Sequence, residues 1–224
     1  MSSDFSLHCV EIDATAEPTG TVIWLHGLGA DGNDFVPVVH ELGLRDRGVR
    51  FVLPHAPFRR ITINGGAMMS GWYDIYALDG SRGEDAVGIR ESEAQLQDLI
   101  DAEIARGVPA ERIVLAGFSQ GGAVVLHTAL RYPERLAGVM ALSTYLPLAE
   151  TSADERSASS LDLPIFQAHG LEDGVILPEI AARSRLALEA LGCAVEWHEY
   201  PMPHSVSMDE IGDIRDWLTQ VLAL

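Results

Sequence analysis

The hydrophobic residues of this chain fall into short continuous runs, separated by longer segments in which they recur with helical spacing. The short apolar runs predict buried strands at residues 22–25, 50–53, 113–118, 138–143, 164–169 and 194–200. The segments with helical spacing predict helices at residues 34–42, 90–105, 122–131, 179–191 and 208–222. Residues 9–12 predict an additional edge strand. Because strands alternate with helices, the pattern indicates an α/β fold with a mostly parallel central sheet and helices on both faces.

The connection between residues 54 and 88 is the longest stretch without a predicted element. Structureless loops of more than about 12–15 residues are uncommon and usually functional. The Met and aromatic residues of this connection indicate either that it covers an apolar site or that it fills an edge of the core. Residues 151–160 are rich in Ser, Ala and acidic residues and predict a surface loop. No repeat or linker divides the chain, so we expect a single domain over residues 1–224.

The amino-acid composition of the chain makes several classes of binding partner and location unfavourable. The chain has 15 Lys and Arg against 33 Asp and Glu, a net charge of −18, which disfavours nucleic acid and anionic membrane surfaces. No apolar run reaches the roughly 18 residues of a spanning helix, so we expect no stable membrane insertion. The N-terminus lacks a basic region followed by an apolar core, so we expect no signal peptide and a cytoplasmic location. Cys9 and Cys193 are too few for a disulfide framework and are expected to be buried thiols.

The first chemical signal is a Gly-x-Ser-x-Gly motif formed by Gly117, Ser119 and Gly121. It lies between the predicted strand 113–118 and the predicted helix 122–131. In this setting the motif is typical of a nucleophile elbow, a sharp turn that exposes the serine hydroxyl. The alternative is an ordinary glycine-rich turn, which the motif alone does not exclude. Partners elsewhere in the chain therefore decide between the two interpretations.

A serine hydroxyl needs an adjacent base to act as a nucleophile. Three histidines follow Ser119 in the sequence: His169, His198 and His204. His198 lies within a predicted strand, and His169 ends one. His204 lies in a loop directly after the last strand, and catalytic side chains in open α/β sheets occupy the carboxyl ends of strands. We therefore predict His204 as the base, with the other two histidines as less favoured alternatives.

The acid that orients the base is expected between the serine and the histidine in chain order. Asp173 follows the strand 164–169 through a short loop, which places it at the carboxyl end of the sheet. Glu172 is adjacent and remains the competing candidate. Asp154 and Asp162 precede the strand and should lie at its other end. We predict Asp173 as the acid.

Acyl transfer also requires donors for the oxyanion. One should be the backbone N–H of Gln120, directly after the nucleophile, and the other should come from the loop after an early strand. Residues 26–32 form such a loop, rich in glycine, and the N–H of Leu28 is our candidate. We expect His26 to brace this loop by hydrogen bonding, because its position in chain order does not suit a catalytic base.

In these motifs the chain resembles the carboxylesterase and acyl-protein thioesterase family of α/β hydrolases. The similar segments are 26–29, 62–66, 72–74, 117–122, 169–173 and 201–205, which extend over nearly the whole chain. The resemblance implies a compact α/β-hydrolase fold without a large lid domain and a Ser-Asp-His triad. It implies hydrolysis of short to medium acyl esters or thioesters. Pro203 and Gly174 depart from the family pattern beside the base and the acid, which stiffens one loop and leaves the catalytic groups intact.

We therefore predict a serine esterase that forms an acyl-enzyme on Ser119, with a small-molecule ester or thioester as substrate. The alternatives are an acyl-protein thioesterase (a depalmitoylase) or lysophospholipase with the same triad, and a non-catalytic binding module. The candidate acyl-pocket residues are Met68, Met69, Trp72, Ile176 and Met202. No cofactor motif and no metal-ligand spacing is present in the sequence, so we expect neither a cofactor nor a metal. A homodimer is compatible with the sequence.

Overall fold

The computed structural model describes residues 7–77 and 82–224. The strands in these residues are β1 (Cys9–Ile12), β2 (Gly20–Leu25), β3 (Val49–Pro54), β4 (Phe58–Ile61), β5 (Ala67–Ser70), β6 (Ile113–Phe118), β7 (Gly138–Leu142), β8 (Pro164–Gly170) and β9 (Ala194–Tyr200). The helices are α1 (Val36–Leu42), α2 (Ala86–Ala105), α3 (Gln120–Arg131), α4 (Ala149–Glu155), α5 (Pro178–Ala190) and α6 (Met208–Val221). Short 3₁₀ turns occur at Arg45–Arg47, Thr62–Asn64, Ala110–Arg112 and Ala158–Ser160.

The central sheet of the described residues has seven strands in the order β1-β3-β2-β6-β7-β8-β9. Only β1 runs antiparallel to its neighbour β3, and the other pairs are parallel. This confirms the predicted mostly parallel sheet, with the predicted edge strand β1 at one of its edges. Because parallel strands all end at the same side, the loops after β2, β6, β7, β8 and β9 share one edge of the sheet.

Side chains that alternate along each strand build a core on both faces of the sheet. On β2, Ile23 and Leu25 pack in the cluster that contains side chains of α2, α3 and α5. Val22 and Trp24 pack in the opposite cluster with side chains of α1 and α6. The strands in the middle of the sheet are buried on both faces, which explains why their sequences read as continuous apolar runs. None of the helices in the described part of the chain combines the length and hydropathy that a membrane-spanning helix requires.

The long connection after β3 contains more regular structure than its sequence predicts. The strands β4 and β5 form a separate antiparallel hairpin that the alternation of residues did not reveal. The reason is that only the last residue of each of these two strands is buried, so the hairpin lacks the apolar runs by which the other strands were found. Residues 78–81 of the connection, which include Gly80, lie outside the described residues, as do residues 1–6 and the signal-peptide prediction made on them.

The prediction of a surface loop at residues 151–160 is wrong, because helix α4 and a 3₁₀ turn occupy most of it. The composition of this segment does not predict a helix, but hydrogen bonds stabilise α4. The buried Ser152 hydroxyl donates to the carbonyl of Leu148, and Arg131 bonds to Glu155 at 2.8 Å and to Thr151 at 3.2 Å. Contacts of this kind with α3 cannot be read from the segment itself.

Helix α6 begins with a capping box in which a glutamate is fully buried. The Ser207 hydroxyl accepts the N–H of Glu210, and the Glu210 carboxyl accepts the N–H of Ser207 at 3.3 Å. Glu210 is 0% exposed, and among the described residues its second oxygen has no hydrogen-bond partner. Burial raises the pKa of Glu210 from 4.5 to about 8. The Glu210 carboxyl in the first turn of α6 is therefore protonated in the folded protein at neutral pH.

This burial gives the protein a pH-dependent stability that a Glu210→Gln substitution should remove. Below about pH 4.5 the glutamate is protonated in both states, and its full contribution to stability is present. Between about pH 4.5 and 8 only the unfolded state ionises, so the free energy of unfolding falls by up to about 1.4 kcal/mol per pH unit. Urea titrations from pH 5 to 9 should give a flatter profile for Glu210→Gln than for wild type, while the exposed-site control Glu179→Gln keeps the wild-type slope. Identical profiles for wild type and Glu210→Gln would contradict this account.

Candidate active site

Ser119 stands at the turn between β6 and α3 in a strained backbone conformation, with φ 54° and ψ −119°. Its N–H donates to the carbonyl of Leu142 at the end of β7, at 2.9 Å. The turn is possible because glycines flank it: a Cβ on Gly121 would lie 2.5 Å from the carbonyl oxygen of Leu25, and one on Gly117 would meet the backbone of Gly121. The positive φ and the close strand–helix approach are the features by which a nucleophile elbow exposes its side chain.

The loops at the carboxyl edge of the sheet bring Ser119, His204 and Asp173 into one hydrogen-bonded line. His204 lies 2.9 Å from the Ser119 hydroxyl through Nε2 and 2.7 Å from the Asp173 carboxylate through Nδ1. Since an ionised carboxylate only accepts, Nδ1 carries the proton and Nε2 is free to accept one from the serine. The Phe118 ring supports the imidazole, with the two centroids 4.7 Å apart.

Asp173 is held from both of its oxygens in the loop after β8. Its Oδ1 accepts the N–H groups of Val175 and Ile176 at 2.8 and 2.9 Å, and its Oδ2 accepts His204. The residue is buried, whereas the neighbouring Glu172 is exposed and reaches neither histidine of this edge by a hydrogen bond in the described residues. Of the two candidate acids, the structure therefore brings only Asp173 to His204.

His169, an alternative base in the sequence, contacts the acid instead of the serine. Its Nε2 lies 2.8 Å from the carbonyl of Ile176 and 3.3 Å from Oδ2 of Asp173, and both of these groups are acceptors. Nε2 must therefore carry the proton. Burial lowers the pKa of His169, so the ring is neutral and donates to the loop that holds Asp173. The other alternative, His198, lies on β9 and bonds to Glu196 at 2.8 Å.

The glycine-rich loop after β2 is braced by His26, as the sequence predicted. Nε2 of His26 accepts the N–H of Ala56 at 3.1 Å, so Nδ1 is the donor to the Gly27 carbonyl at 2.7 Å. Burial lowers the pKa of His26, which keeps this donor–acceptor pattern intact. Within the described residues the N–H of Leu28 donates to no backbone carbonyl, and Gln120 opens α3, where helix geometry leaves its N–H free. Both candidate oxyanion donors are therefore available to a ligand.

The side chain of Gln120 ties the elbow to the connection after β5. Its Oε1 accepts the N–H of Trp72 at 2.8 Å, and its Nε2 donates to the carbonyl of Tyr73 at 2.6 Å. On the other side, the Thr144 hydroxyl donates to the carbonyl of Ser119 at 2.6 Å. Sequence reasoning missed Thr144, Tyr73 and the neighbouring Tyr145. Thr144 follows β7 at the same edge of the sheet, which is the signal that would have indicated it.

A cavity of about 900 Å³ opens beside Ser119. Its wall includes Ile176 from the predicted pocket set, and also Ser119, His204, Leu28 and Gln120. Most of the remaining lining is aliphatic or aromatic, from Ile63, Tyr73, Ile75, Tyr145, Leu146, Leu148, Val175, Ile180 and Ala187. The cavity therefore has the form expected for an acyl group attached to a carbonyl at Ser119.

The other four residues of the predicted pocket set lie elsewhere. Trp72 is 1% exposed and points into the core, where its Nε1 donates to the carbonyl of His26. Met202 belongs to the same loop as His204 but is buried in the opposite core cluster. Met68 and Met69 belong to β5 and line a separate groove on the far side of the glycine-rich loop. The composition of these segments indicated burial, but sequence could not tell whether the side chains face the cavity or the core.

The described residues hold no group of three or more His, Cys, Asp or Glu side chains suited to a metal ion.

Comparison with known proteins gives consistent matches over almost the whole chain. Residues 8–222 match the model of the phospholipase/carboxylesterase family. Acyl-protein thioesterase 1 of Neurospora crassa is 43% identical over 221 residues, which cover 94% of this chain and 90% of the relative. The crystal structure of acyl-protein thioesterase 2 of Zea mays superposes with a TM-score of 0.87 at 27% identity, over 96% of this chain and 99% of that one. Arabidopsis thaliana SOBER1 gives a TM-score of 0.85 at 30% identity, over 91% and 99%.

Proposed function

The chain belongs to the phospholipase/carboxylesterase family, and from this premise we propose that it is a serine hydrolase whose nucleophile, base and acid are Ser119, His204 and Asp173. The observation that carries the proposal is the hydrogen-bonded line of these three side chains, 2.9 Å from serine to imidazole and 2.7 Å from imidazole to carboxylate. A nucleophile, a base with its accepting nitrogen toward that nucleophile and a buried acid behind it are the parts that acyl transfer requires.

The geometry supports a two-step reaction. Oγ of Ser119 attacks the acyl carbonyl carbon while Nε2 of His204 takes its proton, and the N–H groups of Leu28 and Gln120 stabilise the oxyanion. The imidazolium then gives its proton to the departing sulfur or oxygen as the bond to the acyl carbon breaks. Water attacks the acyl-enzyme with His204 again as base, which releases the carboxylic acid and restores the serine.

For the substrate, we propose an acyl thioester on a protein cysteine. The names of the relatives favour this alternative over the carboxylic ester with a short to medium acyl chain that the sequence led us to expect first, since the Neurospora crassa relative is an acyl-protein thioesterase. The mouth of the cavity also suits an attached acyl chain, because Ile63 and Val175 on its lining are exposed apolar side chains. The cytoplasmic location and the homodimer stay predictions from the sequence, as does the single-domain organisation.

The experiment that tests this proposal compares one peptide in two forms, acylated on a cysteine sulfur or on a serine oxygen at the same position. With butyryl, octanoyl and palmitoyl groups, we expect kcat/KM for the thioester to exceed that for the matched oxygen ester at one or more chain lengths. Acyl release is measured by mass spectrometry of the peptide, so that both leaving groups are read in the same way.

Turnover of the oxygen esters alone would overturn the thioester assignment and return the enzyme to the carboxylesterase interpretation. Release that is unchanged in a Ser119→Ala variant would overturn the serine mechanism itself. The same series therefore separates the choice of substrate from the choice of nucleophile.

A further inference from the structure

Two tyrosine hydroxyls form a pair in the wall of the acyl cavity. The hydroxyl oxygens of Tyr73 and Tyr145 are 2.9 Å apart, and both residues line the cavity that contains Ser119. Tyr73 is 2% exposed, and burial raises its pKa well above the ordinary value, while burial raises the pKa of Tyr145 to about 12. Both groups therefore remain neutral hydroxyls over the working range of the enzyme.

The two hydroxyls have two hydrogens, and the hydrogen bond between them requires only one. Each hydroxyl has a single hydrogen, and only one of the two can lie between the oxygens. Of the polar side chains in the described wall, Glu84 accepts the N–H of Leu148 at 2.9 Å, and the Ser184 hydroxyl donates to Ile180 and accepts the N–H of Leu146, so neither is hydrogen-bonded to a tyrosine hydroxyl. Among the described residues, no acceptor takes the second hydrogen of the pair.

The two rings also start next to the elbow. The carbonyl of Tyr73 accepts the side-chain amide of Gln120, and Tyr145 directly follows Thr144, whose hydroxyl bonds to the carbonyl of Ser119. Both attachments are to the turn that carries the nucleophile, and both tyrosines line the same cavity as Ser119. Most of the surrounding wall is aliphatic or aromatic.

We propose that the Tyr73–Tyr145 hydroxyl pair is a specificity site for acyl groups that carry a hydrogen-bond acceptor oxygen, such as an oxo, hydroxy or ether oxygen, partway along the chain. An acyl oxygen at the right carbon accepts the spare hydrogen. A plain alkyl chain of the same length covers that hydrogen and leaves a buried donor unsatisfied, which costs about tenfold or more in binding. This inference rests on the proposed function, since it requires the acyl group of an ester or thioester to enter this cavity.

The test uses p-nitrophenyl esters of butyrate to octanoate, each beside oxo-substituted counterparts with the carbonyl at successive carbon atoms. For wild type we expect the ratio of kcat/KM, oxo over plain, to peak at one carbon position by about tenfold over its neighbours. The single variants Tyr73→Phe and Tyr145→Phe each keep one hydroxyl, whose hydrogen is then released to the substrate, so each should retain most of the peak. The double variant has no donor, and its ratio should become flat, with faster hydrolysis of the plain esters.

Hydrolysis of p-nitrophenyl acetate, the shortest acyl group of the series, serves as the reference to which kcat/KM of each variant on the longer esters is normalised. A flat ratio in wild type, or a peak that persists in the double variant, would overturn the proposal. An equal loss on all substrates, acetate included, would also overturn it, because it would assign the pair a purely structural role between its two segments. If wild type hydrolyses no ester in a Ser119-dependent manner, the proposed function fails as well, and the acetate control distinguishes that outcome.

Discussion

Replacement of Ser119 by alanine should lower kcat for ester and thioester hydrolysis by about 10⁶-fold, the loss that removal of the nucleophile causes in serine hydrolases. In the proposed mechanism this hydroxyl bonds to the acyl carbon, and no other hydroxyl in the described residues bonds to Nε2 of His204. The expected effect on stability is small, because alanine keeps the Cβ that the strained backbone already accommodates. Single-turnover and steady-state hydrolysis of p-nitrophenyl acetate measure the loss.

The matched control is Ser159→Ala. Ser159 is half-buried like Ser119, but it lies on the 3₁₀ turn Ala158–Ser160, outside the cavity lining. Its hydroxyl donates to the carbonyl of Tyr132, so the variant should lose some stability and keep its kcat/KM. Ser119→Ala should instead keep its unfolding midpoint and lose its activity. Residual hydrolysis above about 1% of wild type would contradict a nucleophilic role for Ser119, since it exceeds the background of the remaining site by orders of magnitude.

The parts of this fold that the sequence predicted are those with two independent local signals. The strand β6 and the elbow after it combine a continuous apolar run with glycines whose missing side chains the turn requires, as the close contact of Gly121 with the backbone of Leu25 demonstrates. The positions of His204 and Asp173 followed from topology, because parallel strands end at one edge of the sheet. The order of these residues in the chain and their positions after strand ends were therefore enough to predict the candidate site.

The parts that it did not predict depend on contacts between distant segments. Trp72 and Tyr73 are adjacent in sequence and both belong to the same core cluster, yet only Tyr73 also lines the cavity, where its hydroxyl meets that of Tyr145. Nothing in the composition of residues 72–73 distinguishes these two orientations. The hairpin β4–β5 and the helix α4 were missed for a related reason, since their exposed or polar sequences lack the apolar spacing by which elements are recognised.

The role of His169 illustrates how the same topology yields two chemically different histidines. Both His169 and His204 stand at strand ends near Ser119, so sequence left them as alternatives. In the structure His169 is buried and donates Nε2–H to the Asp173 loop, whereas His204 is half-buried and presents an accepting nitrogen to the serine. The difference between the two residues lies in which ring nitrogen carries the proton. That nitrogen can be identified only when every acceptor around the ring is known, so the sequence alone could not tell a positioning residue from a base.

The same proton directions give the second large prediction: Asp173→Asn should lower kcat by about 10⁴-fold. Oδ1 of the asparagine can still accept the N–H groups of Val175 and Ile176, so the loop should keep its conformation. The amide NH₂ then replaces Oδ2 and faces His204, which must accept at Nδ1 and carry its proton on Nε2. That nitrogen now donates to Ser119 and is unable to take its proton. The NH₂ also opposes the Nε2–H of His169, which adds a modest loss of stability.

The matched control, Glu172→Gln, tests the competing acid that the sequence left open. Glu172 is adjacent and exposed, and the same loss of one negative charge at this position should leave kcat and KM within about twofold of wild type. For Asp173→Asn we expect the loss in kcat with KM nearly unchanged, because the tautomer of the base changes while the cavity wall does not. Full kinetics on p-nitrophenyl acetate for both variants, beside their thermal unfolding midpoints, measure this difference. A loss below tenfold in Asp173→Asn, or a loss above a hundredfold in Glu172→Gln, would contradict Asp173 as the acid. Either result would also contradict the proton positions inferred for His204.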